Sequence, residues 1–150
     1  MTTFLEEVKP ILATSFGTVE YVIVGYEEYS IPPGAPVQGA EILVDCEELK
    51  LKIMHEYRHS FFVDVASVRN PTRWHPVLPL LLVASGEPIE RSKVKVGNSM
   101  AELAELIGRL AACRHGLAEL LKPERLPDTE RRLKEVRLQT VAPVLKPFIR

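Results

Sequence analysis

The chain is short of the residues that mark a specialised environment. Among its 150 residues are two cysteines, one tryptophan and no long apolar run. Cys46 and Cys113 lie 67 positions apart and form no CxxC pair, so reduced thiols of a cytoplasmic protein are expected. The longest apolar stretch, 77–84, is interrupted by Pro79. It falls far short of the roughly 20 residues that a membrane-spanning helix needs, so no membrane partner is expected. The first residues carry no basic segment, and Glu6 and Glu7 interrupt the apolar pattern, which does not support a secretory signal. No glycine precedes a lysine, which excludes a P-loop, and no GxGxxG occurs. Ser85-Gly86 lacks the upstream glycine of a GxSxG elbow. A formal net charge of −1 lacks the Lys/Arg excess of a general nucleic-acid binder. With 46% apolar and 26% charged residues, the composition is that of a globular domain and not of a disordered chain.

The residues that are present change period along the chain. Over 3–15, Phe4, Leu5, Val8, Ile11 and Leu12 recur at helical spacing, and Thr3 with Glu6 fits a capping box. Pro10 should kink that helix or end it early, and Gly17 suits its C-cap. About four strands are expected over roughly 19–68. The first runs from 19 to about 29, and the second covers 41–46 and ends at a tight Glu47-Glu48 connection. In the third, Leu49, Leu51 and Ile53 alternate with Lys50 and Lys52, the pattern of an antiparallel strand with one wet face. The fourth, 61–68, is apolar on nearly both faces, and the proline-rich 31–36 is a loop. Short connections favour a meander. Asn70-Pro71-Thr72 should then break the sheet. Three helices are expected after it, over about 75–85, 99–121 and 128–141. Strand is the alternative for 80–84, and Val94 and Val96 suit a brief strand or an extended linker. Ser99 and Glu102 cap the 99–121 helix, Pro123 ends it, and Pro143 and Pro147 end regular structure. The expected architecture is a single α+β domain with an N-terminal helix, an antiparallel meander and C-terminal helices.

One catalytic signature matches literally. His55-Glu56-Tyr57-Arg58-His59 is HExxH, in which a helix sets two histidines on one face to bind Zn²⁺ and the glutamate activates the bound water. Here the residues before it alternate with period 2, and those after it are aromatic and β-branched. The pentapeptide therefore falls at the tip of a hairpin, with His55 and His59 on opposing strands, and no cofactor is expected. A zinc-dependent hydrolase with His55 and His59 as ligands and Glu56 as base is the alternative. It requires a helix through 53–62, for which Ile53, Tyr57 and Phe61 have the spacing, and a third ligand such as His75, Glu87 or Glu90.

Charge is distributed unevenly. Residues 1–90 hold 6 Lys/Arg and 13 Asp/Glu, a balance of −7, whereas 91–150 hold 13 and 7, a balance of +6. No basic residue lies between Lys9 and Lys50, a stretch with seven acids. Either the two segments neutralise each other within the fold, or the acids form a surface that steers a basic protein partner. A nucleic-acid surface on Arg125, Arg131, Arg132, Lys134 and Arg137 is disfavoured, because Glu124, Asp128, Glu130 and Glu135 interleave with them. In size, element order and acidic stretch, the chain resembles small bacterial immunity proteins and related α+β proteins. That resemblance implies a non-enzymatic protein that covers a basic partner, with Glu27, Glu28, Glu41, Asp45, Glu47 and Glu48 as the docking residues. Homo-oligomerisation is left open.

Overall fold

A computed structural model describes residues 2–30, 34–57, 60–86 and 99–145 of the chain. His59, Glu87, Glu90, Val94, Val96, Pro147 and residues 31–33 of the 31–36 loop lie outside the described residues. Helix α1 spans Phe4–Phe16, and the Thr3 hydroxyl accepts the Glu6 amide at 3.1 Å, as the capping box requires. Phe4, Val8, Leu12 and Phe16, four residues apart, form its buried stripe, and Gly17 closes it at φ 56°. Pro10 does not end the helix. Its missing N–H leaves the Glu6 carbonyl without a helical donor, but Glu6 and Pro10 are both exposed, so water can serve that carbonyl.

A five-stranded antiparallel meander follows: β1 Val22–Tyr29, β2 Gly39–Cys46, β3 Leu49–Glu56, β4 Ser60–Ser67 and β5 Asn70–Pro76. The period-2 pattern sets which way each side chain faces. Ala40, Ile42, Val44 and Cys46, then Leu49, Leu51 and Ile53, then Phe61, Val63 and Val65 share one buried face. Two details depart from the sequence expectation. β1 begins at Val22, although Val19 and Tyr21 still pack against the core. Asn70-Pro71-Thr72 does not break the sheet but opens β5. β5 is the last strand, so the donor missing at Pro71 is tolerated at an edge, and its pairing with β4 is irregular between Val65 and Ser67.

The helices bury the inward face. α2 Val77–Ser85 is apolar on most sides, with Val77, Leu80, Leu81, Leu82 and Val83 buried. It is a helix through 80–84, not a strand, and Gly86 ends it at φ 69°. The expected 99–121 helix is divided into α3 Met100–Ala112, capped by Ser99, and α4 Arg114–Leu120. At the break, the Arg114 guanidinium turns back to donate to the Ala111 carbonyl at 2.9 Å, serving an oxygen at the end of α3. α5 spans Leu126–Leu145 and so continues past Pro143, which sits in its last turn and removes only one donor there. The buried Thr129 hydroxyl donates to the Leu120 carbonyl at 2.6 Å, and Arg132 donates to the Val83 carbonyl at 3.2 Å. These bonds join α5 to α4 and α2. No helix among the described residues is long and apolar enough to cross a membrane.

Candidate functional site

Because strand side chains alternate, burying one face leaves the other as a separate surface. Register fixes its rows. Asp45 pairs with Lys50; Leu43 pairs with Lys52, which pairs with Asp64; Glu27 pairs with Glu41, Glu41 with Met54, and Met54 with Phe62. Glu56 pairs with Gly39 and Ser60, and Gly39 in turn with Tyr29. Most of this face is exposed or half-buried, including Leu43, Met54 and Trp74. Val22 is 60% exposed, Val24 51%, Phe62 39% and Tyr29 38%, so the face offers apolar area to water.

Two lysines organise the charges there. Lys50 lies 3.0 Å from Asp45. Lys52 lies 3.7 Å from Glu41 and 4.3 Å from the centre of the Trp74 ring. Burial pushes the Asp64 carboxyl above its ordinary range, an effect that Lys52 and then His75 oppose. At the other end of the face the Tyr29 ring lies against Gly39. A Cβ at that position would collide with the ring and would also approach the His55 carbonyl oxygen to 2.8 Å. Burial raises the Tyr29 pKa, and the nearby Glu56 and Glu41 carboxylates add to the rise.

The six acids singled out from the sequence do not form one patch. Glu27, Glu41 and Asp45 share the open face. Glu28 pairs with Ala40, which points inward, and its carboxylate accepts the Tyr26 hydroxyl at 2.6 Å. Burial first, and then that carboxylate, raises the Tyr26 pKa. Glu47 and Glu48 form the β2–β3 turn, where Glu47 adopts φ 53° and approaches Arg114 at 3.6 Å and His115 at 3.8 Å. Four residue steps along β2 separate Asp45 from Glu41, about 13 Å of extended chain. Sequence reasoning missed Met54 and Phe62 as parts of this surface, and placed Glu56 only in a catalytic role. The alternation of β3 continued through Met54 and Glu56 could have found two of them.

The strands on either side of Arg58 and His59 pair as an antiparallel hairpin, so no helix runs through 53–62. β3 ends at Glu56 and β4 begins at Ser60. His55 is buried on the core side, its ring 4.5 Å from that of Phe4 in an edge-on contact, whereas Glu56 is exposed on the opposite face. A ligand and its base cannot address one metal from opposite sides of a sheet. No cluster of three or more His, Cys, Asp or Glu suited to a metal ion occurs among the described residues. His75, the other buried histidine, lies 3.4 Å from Glu130, which Arg73 also contacts, so this group ties β5 to α5. Between α2 and α3 a cavity of about 260 Å³ is lined by Leu78, Leu81, Leu82, Ser85, Arg109, Ala112 and Cys113. It is smaller than the roughly 300–1,000 Å³ usual for ligand pockets. Comparison with protein-family models, curated proteins and solved structures finds no match to this chain.

Proposed function

We propose that this chain is a non-enzymatic binding protein of the cytoplasm that docks a basic protein partner through the open face of its sheet. The observation that carries the reading is the composition of that face. Among the described residues, Glu27, Glu41, Asp45, Glu56 and Asp64 stand there against two cations, Lys50 and Lys52, beside the exposed apolar surface of Tyr29, Phe62 and Val22. A centre of apolar contact with carboxylates around it suits a partner that presents lysine and arginine. It is also the docking mode that the resemblance in layout to small immunity proteins implies. The free thiols of Cys46 and Cys113 agree with a reducing compartment.

The test compares the wild-type chain with a Glu41→Lys/Glu56→Lys double variant as baits, followed by binding kinetics with any partner captured. At low ionic strength the association rate should fall by about tenfold or more, and its salt dependence should flatten. An unchanged rate and an unchanged salt slope, in a variant with wild-type circular dichroism, would refute the reading.

A further inference from the structure

On the reading that the open face docks a basic partner, we infer that its Tyr29 end seats an arginine side chain of that partner. The guanidinium stacks on the Tyr29 ring between the carboxylates of Glu27, Glu41 and Glu56, and the aliphatic stem lies toward Met54 and Phe62. Register places these groups together. Glu27 and Glu41 stand directly opposite on neighbouring strands, and one rung further Tyr29, Gly39 and Glu56 form a row across three strands. The next residues along the Glu41 row are Met54 and Phe62.

Like charges directly opposed in a sheet repel. Lys52 offsets Glu41 only in part, at 3.7 Å and while engaged with Trp74. Among the described residues no cation pairs with Glu27 or Glu56. A cation supplied from outside therefore meets three carboxylates of which one is partly neutralised. The aromatic platform narrows the choice of cation. Gly39 allows the Tyr29 ring to lie against the sheet, and the residue remains 38% exposed, so the site is open to a ligand. A planar guanidinium can stack on that ring and still direct its N–H donors sideways to carboxylates. An ammonium is a compact point charge that cannot do both as well. The raised Tyr29 pKa agrees with a ring lying in the field of Glu56 and Glu41.

The experiment is a titration of the full chain, followed by amide NMR, with N-acetyl-arginine methylamide. The lysine and citrulline analogues serve as the charge-only and shape-only controls. Arginine should shift the amides of Tyr29, Gly39, Glu41 and Glu56 with low-millimolar affinity. The lysine analogue should bind at least about threefold more weakly, and citrulline should leave those amides unmoved. Glu27→Gln, at an exposed position, should weaken arginine binding about two- to threefold. Tyr29→Phe should retain binding and Tyr29→Leu should lose it. Tyr29→Phe keeps the ring on Gly39, so it remains informative even where the leucine variant is disordered. Arginine shifts centred on Glu47 and Glu48, equal affinity for arginine and lysine, or no shift at Tyr29 would each overturn the inference. Partner capture by the Glu41→Lys/Glu56→Lys bait reads the docking proposal separately. A partner lost from that bait, together with no arginine shift at Tyr29, leaves the docking face standing and removes the arginine seat.

Discussion

His55 and Glu56 are adjacent in sequence and opposite in environment, so alanine at each position separates a core hairpin from a zinc site. His55 is 2% exposed and its ring packs edge-on against Phe4 and near Phe61, at 6.4 Å between centres. His55→Ala removes the ring and leaves a cavity between α1 and the β3–β4 hairpin. Truncation of a buried aromatic to alanine costs about 3–5 kcal/mol, and the smaller imidazole should cost about 2–4 kcal/mol. The edge-on contact accounts for roughly 0.5–1.5 kcal/mol of that. An unfolding entropy of about 2.1 cal/mol/K per residue converts this loss to a Tm decrease of roughly 6–13 °C for a chain of this length. Glu56→Ala, at an exposed strand end, should stay within about 0.5 kcal/mol, or roughly 2 °C. The assay is thermal and urea unfolding of both variants and of the wild type, each with and without EDTA. A zinc site makes a different forecast. Chelation would lower the wild-type Tm, because a metal bound only by the native state stabilises it by mass action. Equal shifts for the two alanine variants, or an EDTA-sensitive wild type, would refute the placement of His55 as a core residue.

Two further outcomes follow from single groups. Thr129→Val keeps the side-chain shape but removes the hydroxyl that donates to the buried Leu120 carbonyl, so urea unfolding should show a loss of about 1–3 kcal/mol. A loss below about 0.3 kcal/mol would mean that the α4–α5 joint does not depend on this bond. For Asp64 the folded-state pKa is raised, chiefly by burial, so in the window between its unfolded and folded values the native state binds more protons than the unfolded state. Its contribution to stability is therefore favoured on the acid side of that window and declines as pH rises through the folded value. Asp64→Asn should gain stability relative to wild type at neutral pH, and the difference should shrink as the pH is lowered toward 4. A difference that grows on acidification would show that Lys52, which lowers the Asp64 pKa, dominates the site.

Local chemistry was readable where one residue or one period decides the outcome. Thr3 and Ser99 cap their helices, Gly17 and Gly86 end theirs, and the alternation through Leu49, Leu51 and Ile53 predicts which side of β3 is buried. The same alternation, continued to His55, separates the histidine from Glu56 although the motif itself suggests a helix. Errors arose where tertiary context overrides a local rule. Pro71 breaks a central strand but is tolerated in β5 because only one side of that strand needs donors. Pro10 and Pro143 each remove one donor, at an exposed position and in a last turn, and neither stops its helix. The division at Cys113 is accompanied by a bond from Arg114 to the Ala111 carbonyl, which hydrophobic spacing does not encode. The docking acids were grouped by proximity in sequence, whereas alternation and the β2–β3 turn distribute them over two faces and one end of the sheet.

The distribution of the acids bears on both readings of the charge asymmetry. If the acidic and basic segments only neutralised each other, the carboxylates of the strands should face the arginines and lysines of the C-terminal helices. Glu47 does so, through Arg114 and His115. Arg73 and Glu130 join the same two segments, but with the signs reversed, so this pair adds nothing to neutralising the strand acids. Asp45 and Glu41 instead depend on Lys50 and Lys52 from the next strand. Glu27 and Glu56 have no cation among the described residues, and Glu27 directly faces Glu41 across the sheet. The helices cannot relieve that repulsion, because they pack against the other face. Water and salt screen it in the free chain, where surface charges interact weakly. Burial under a partner would remove the screening and make an unpaired carboxylate costly, so on the proposed docking mode this corner of the face would discriminate against any partner that fails to bring a cation.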